Sequence, residues 1–111
     1  MPEISTFSAK KAFRKENRHQ PWAPMTAYRA GKINMRFWRY KSARKILEKT
    51  VKTFPDELWV SDAYYQIALS YEKSGEPLKA IDSYERFMKK YPTHAWKDQA
   101  AKRIENIKQS L

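Results

Sequence analysis

The 111-residue chain has no cysteine and only two glycines, Gly31 and Gly75. Lack of cysteine excludes disulfides, thiolate catalysis and Cys-ligated zinc, while leaving either redox compartment open. So few glycines disfavour a turn-dense β architecture and favour helices. They also rule out a glycine-rich phosphate loop. No apolar run approaches the roughly 20 residues that a membrane span requires. No signal-peptide-like apolar region follows the start, although the basic, acid-poor, aromatic beginning also fits an organellar transit peptide. Histidine is scarce. His19 and His94 lie in different segments, neither has a histidine four residues away, and neither belongs to an HExxH pattern. No GxSxG or Ser/His/Asp set occurs. Asp56 with Glu57 reads as a charge pair complementing a helix dipole, and Glu72, Glu76, Asp82 and Glu85 read as scattered surface carboxylates. The expectation is a non-enzyme with no cofactor and no metal.

Positive charge, by contrast, is plentiful and unevenly placed. The formal net charge is +11. Residues 1–44 hold eleven Lys or Arg against Glu3 and Glu16, whereas residues 45–111 hold twelve against ten acids. A segment so basic meets nucleic acid, an anionic membrane or an acidic protein surface.

Hydrophobic periodicity divides the chain into residues 1–35 and 36–111. The first part shows no sustained period and carries Pro2, Pro21 and Pro24, so it reads as an extended arm with at most a short helical turn around Ser8–Asn17. Cations alternate there with Phe13, Trp22 and Tyr28, unlike a solvated tail, which would be poor in aromatics. From Arg36 a period near 3.6 begins. Tyr40, Ala43, Leu47 and Val51 form one stripe, and Pro55 ends it. A second stripe comprises Ala63, Tyr64, Ile67, Ala68 and Tyr71, with Gly75 as its stop and Pro77 opening the next helix. The third stripe holds Ala80, Ile81, Tyr84, Phe87, Met88 and Tyr91, and Pro92 closes it. Thr93 is placed to cap a final helix whose inward residues are Trp96, Ala100, Ile104, Ile107 and Leu111. Four antiparallel helices with short connections follow.

The second and third of these helices resemble a tetratricopeptide repeat (TPR), a helix–turn–helix unit of about 34 residues. With Ser61 as first position, the pattern's large aromatic falls on Tyr64, its Leu-Gly pair on Ile67 and Ala68, and its Tyr on Tyr71. Its turn glycine falls on Gly75, its second-helix small residue on Ala80, the following aromatic on Tyr84 and the closing proline on Pro92. Phe87 departs from the family's usual alanine. That bulk and the KKYP close resemble the subtype found in bacterial envelope proteins such as the outer-membrane assembly lipoprotein BamD and the Tol-Pal accessory proteins. SARKILEKTVKTFP (Ser42–Pro55) echoes KAIDSYERFMKKYP (Lys79–Pro92) at an offset of 37 residues. The first helix of this earlier repeat is not recognisable, because AYRAGKINM has Gly31 inside it. About one and a half to two repeats are expected over residues 36–111.

The implied fold is all-α: helical hairpins stacked as a short TPR-like solenoid behind a basic N-terminal arm. Repeat stacks bury their core between neighbours, and so short a stack is expected to be completed by partners. The expected function is a non-catalytic scaffold or assembly subunit of a large complex. Its arm would dock on RNA or an acidic surface, with a bacterial or organellar ribosome or other ribonucleoprotein as the preferred setting. Expected anion contacts are Lys10, Lys11, Arg14, Lys15, Arg18, Arg29, Lys32, Arg36 and Arg39, since cations neutralise phosphates. Expected protein contacts are Trp22, Trp38 and Trp59. The alternatives are a peripheral subunit of a membrane-bound complex, in keeping with the envelope-type resemblance, and a peptide-binding TPR adaptor. Cytoplasm or organellar matrix is favoured over secretion.

Overall fold

A computed structural model describes residues 22–111. Five helices occur among them: α1 (Trp22–Arg36), α2 (Tyr40–Thr53), α3 (Val60–Lys73), α4 (Pro77–Lys90) and α5 (Lys97–Ser110). Each packs on the next as a hairpin, and α1 also reaches α3. The fold is the all-α stack of hairpins expected from the periodicity.

The stripes are buried largely as their spacing dictates. Ala43, Leu47 and Val51 of α2, Ala63, Ile67 and Ala68 of α3, and Ala80, Tyr84 and Phe87 of α4 are all inside. One cluster joins α3, α4 and α5 around Tyr65, Tyr84, Phe87, Ala100, Ile104 and Ile107. The other joins α1, α2 and α3 around Tyr28, Leu47, Val51, Val60, Ala63 and Ile67. Complete burial of a side chain the size of Leu47 or Phe87 stabilises the fold by about 1.5–3 kcal/mol. Pro77 occupies the first turn of α4, where its missing N–H costs nothing.

Three expectations need correction. Residues 1–35 were expected to form an extended arm with at most a short helical turn around Ser8–Asn17; residues 22–35 instead form most of α1, and 1–21 lie outside the described residues. Pro24 sits in the first turn of that helix and therefore does not interrupt it. Gly31 does not break the helix either; it is a packing notch. A Cβ built on Gly31 would lie 2.5 Å from Leu47 Cδ2 and 2.7 Å from Leu47 Cγ, so any larger residue there forces Leu47 or the α1 backbone to shift. The second correction concerns Thr93. Helix α5 begins after Trp96, with no side-chain cap of the usual kind; instead the Trp96 backbone N–H donates to His94 Nδ1 at 2.9 Å. Leu111, expected to face inward, is exposed.

With α1 in place, the 37-residue offset runs through the described chain. Tyr28 precedes Tyr65 by that interval, Gly31 precedes Ala68, Ala43 precedes Ala80, and Trp59 precedes Trp96. The ring pairs repeat as well: Tyr28–Trp59 centroids are 4.9 Å apart and Tyr65–Trp96 centroids 5.0 Å. So does the end of each first helix. Trp38 N–H donates to Met35 O and Arg39 N–H to Asn34 O, while Gly75 N–H donates to Glu72 O and Glu76 N–H to Tyr71 O. Both are Schellman closures, with the residue after the cap in the left-handed region. Gly75 has φ 82° there and Trp38 has φ 61°. The described residues therefore comprise two full helical pairs, α1–α2 and α3–α4, plus α5 in the position of a third repeat's first helix.

Candidate docking groove

Helices α2 and α4 flank α3 and leave an open groove of about 720 Å³. Its floor is Tyr64, Ile67 and Tyr71 of α3. One wall is α2, with Lys45, Glu48, Lys49 and Lys52; the other is α4, with Lys79, Asp82 and Arg86. Several charges are already engaged. Arg86 Nε lies 3.1 Å from Asp82, Lys79 Nζ lies 3.3 Å from Glu76, and Tyr71 Oη donates to Glu48 at 3.5 Å. Lys45, Lys49 and Lys52 are exposed and have no acidic partner among the described residues. Their spacing along α2 sets them on one helix face. The result is a half-buried aromatic floor beside a rim of unneutralised ammonium groups.

A buried arginine fixes this groove from beneath. Arg44 is only 9% exposed. Its guanidinium lies 4.1 Å from the Tyr71 ring centroid, Nη1 donates to Ser70 Oγ at 3.2 Å and to Ser74 Oγ at 3.4 Å, and Nη2 donates to Glu76 at 3.3 Å. A planar, multiply donating cation can hold three acceptors and a ring face together, which an ammonium cannot. On the far side of α3, Glu72 accepts from Tyr84 Oη at 2.7 Å and from Arg103 Nη1 at 3.2 Å, while Arg103 Nε donates to Tyr65 Oη at 2.9 Å. Burial, then the hydrogen bond to Glu72, raises the Tyr84 pKa above its usual value. For Arg103, burial alone would lower the pKa, and the opposing influence of Tyr84, Tyr65 and Glu72 leaves it raised. Glu72 and Glu76, expected to be surface carboxylates, are thus the acceptors that lock α3 to α5 and the α3–α4 turn to α2. Among the described residues no buried side-chain nitrogen or oxygen lacks a partner.

The expected contact residues are dispersed. Lys10, Lys11, Arg14, Lys15 and Arg18 lie outside the described residues. Arg29, Lys32, Arg36 and Arg39 are exposed, and Lys32 Nζ lies 5.5 Å from the Tyr28 ring centroid. Trp22 opens α1. Trp38 stands in the α1–α2 turn, 79% exposed. Trp59 is half-buried and stacked on Tyr28, within the fold's own packing. Sequence reasoning missed Arg44 and the lysine rim because periodicity marks apolar positions, and a buried cation carries no such mark. Tyr65, likewise unnoticed beside Tyr64, is the more buried of the two; the recurrence of tyrosine at Tyr28, 37 residues earlier, was the available signal.

Among the described residues no group of His, Cys, Asp or Glu could hold a metal ion, and no helix is long and apolar enough to cross a membrane. Stacked helical pairs with a repeated ring pair, a repeated helix closure and an aromatic groove define a TPR-type repeat, a class built for protein–protein interaction. The family model described as YfiO, outer membrane lipoprotein, matches residues 21–105, and the chain belongs to that family. The match takes in α1, in agreement with its place as a repeat's first helix. Comparison with curated proteins finds no match.

Proposed function

We propose that the chain is a non-catalytic scaffold subunit of a membrane-bound protein assembly, docking an acidic, apolar-studded segment of a partner protein in the α2–α3–α4 groove. The observation that carries this reading is the Lys45–Lys49–Lys52 rim, without an acidic partner among the described residues, beside the Tyr64–Ile67–Tyr71 floor. Rings and the aliphatic side chain supply apolar contact, while the ammonium groups select carboxylates and steer their approach. The family's description as an outer membrane lipoprotein favours a membrane-side assembly over a ribonucleoprotein. The cations Lys10, Lys11, Arg14, Lys15 and Arg18 would then meet an acidic surface of the same assembly.

The test is a titration of the full-length chain with a glutamate-rich peptide containing leucine and phenylalanine, followed by NMR. Shifts at Lys49, Tyr64 and Tyr71 that vanish in a Lys45→Glu, Lys49→Glu, Lys52→Glu variant are the expected result. Shifts confined to other surfaces would overturn the reading. So would binding only to an RNA oligonucleotide, with affinity falling on added salt at a slope of about −0.7 per phosphate contact.

A further inference from the structure

The α1–α2 turn is a surface that the groove does not use. Phe37 and Trp38 are 69% and 79% exposed, and Ile33, one helical turn earlier, is 51% exposed. The Phe37 N–H donates to Ile33 O at 3.2 Å, which places the two on the same face. Lys32, Arg36 and Arg39 are their neighbours in sequence, all exposed and without an acidic partner among the described residues. No Asp or Glu occurs between Glu16 and Glu48. Folding does not explain the bulk of Trp38. It occupies a left-handed position at φ 61°, where its equivalent in the next repeat is Gly75 and where a large side chain is disfavoured. The exposed ring makes no burial within the described residues that would offset this cost.

The chemistry of the turn narrows what the ring would meet. The turn itself combines an exposed aliphatic side chain with two exposed rings, and the cations near it in sequence have no acid among them. Rings of this kind sit at headgroup depth in a bilayer, and Lys or Arg beside them attract anionic lipid. We infer that the α1–α2 turn is a membrane-surface docking tip: Ile33, Phe37 and Trp38 enter the interfacial layer of an anionic phospholipid bilayer, and Lys32, Arg36 and Arg39 meet its phosphates. The inference goes beyond the scaffold reading and does not depend on it, because the groove lies on α2, α3 and α4 and is read by peptide binding instead.

The test uses the full-length chain with vesicles of phosphatidylcholine alone and of phosphatidylcholine mixed with phosphatidylglycerol. Co-sedimentation and tryptophan quenching by lipids brominated on the acyl chain are the measurements. Binding to the mixed vesicles is expected, with about a fivefold loss for each cation neutralised in Arg36→Gln and Arg39→Gln. The Phe37→Ser, Trp38→Gly variant should lose at least tenfold, on the order expected for removing two large side chains from an apolar layer. It should also lose the quenching, while keeping its helical circular dichroism and its peptide binding, since both side chains are exposed. Any of four results overturns the inference: no binding to mixed vesicles, equal binding to neutral vesicles, wild-type affinity in the Phe37→Ser, Trp38→Gly variant, or tip substitutions that weaken an RNA oligonucleotide but not vesicles.

Discussion

Gly31 of α1 faces Leu47 of α2 so closely that a methyl group on Gly31 would lie 2.5 Å from Leu47 Cδ2. Leu47 is wholly buried in the cluster shared by α1, α2 and α3, so it has little room to move aside. The first hairpin is closed at this contact, and the same small-residue position recurs as Ala68 in the second. Overpacking costs about 1–3 kcal/mol, while replacing a helical glycine by alanine returns about 1 kcal/mol of helix propensity. Gly31→Ala should therefore destabilise the chain by about 1 kcal/mol, and Gly31→Leu by more, because steric conflict grows while propensity does not. Thermal unfolding measures both. Adding Leu47→Ala to Gly31→Ala should cost less than the two single changes together, since the space removed at one residue is supplied at the other.

Arg44 should not tolerate replacement by lysine. Arg44→Ala leaves Glu76, Ser70 and Ser74 short of donors and uncovers the Tyr71 ring, for a loss of about 2–3 kcal/mol. Arg44→Lys keeps the charge but not the planar fork, and should recover less than half of that loss. Urea denaturation of the three proteins gives the comparison, with the midpoint of the lysine variant expected near that of the alanine variant.

Equivalent turn positions should respond with opposite signs. Trp38→Gly removes a left-handed bulky residue, a conformation costing about 1–2 kcal/mol for a residue with a Cβ, offset by about 0.5–1 kcal/mol of extra chain entropy. The melting temperature should rise slightly. Gly75→Ala meets no neighbouring atom within 4 Å, yet φ 82° is unfavourable for alanine, so stability should fall by about 1 kcal/mol. A rise with Trp38→Gly, coupled to loss of vesicle binding, would show stability traded for a surface role.

Alkaline pH should unfold the chain through its buried tyrosines. Burial, then the charge of Asp62, pushes the Tyr28 pKa from 10.0 up to about 12, and burial followed by Glu72 raises that of Tyr84. A phenol with a raised folded-state pKa binds its proton more tightly when folded, so its stabilisation is complete below the unfolded value of 10.0 and declines as pH climbs from there through the folded value. The contribution of these tyrosines to stability should be flat to about pH 10 and fall between about 10 and 12. Tyr28→Phe should flatten part of that decline, as measured by denaturant unfolding at stepped pH.

Much of the architecture was present in the order of residues. The stripes Ala43–Leu47–Val51, Ala63–Ile67–Ala68 and Ala80–Tyr84–Phe87 marked three helices, and Gly75, Pro77 and Pro92 marked their limits, because these signals are local and each residue carries its own. Helix α1 was overlooked for a related reason. Gly31 and Pro24 are unfavourable to helices when weighed locally, and what stabilises α1 is its contact with Leu47 of α2 and with Trp59 and the residues of α3.

Sequence alone determined the helical class, the 37-residue repetition and the excess of positive charge, since composition and periodicity act over a few neighbouring residues or over the whole count. Tertiary structure decided which charges are spent and which are free. Arg44 and Arg103 are turned to buried and part-buried acceptors, Lys45, Lys49 and Lys52 are left open along a groove, and Trp38 is exposed while Trp59 is packed against the core. Those outcomes depend on which side chains meet across helices tens of residues apart, and such meetings are set by packing geometry rather than by the spacing of residues along the chain.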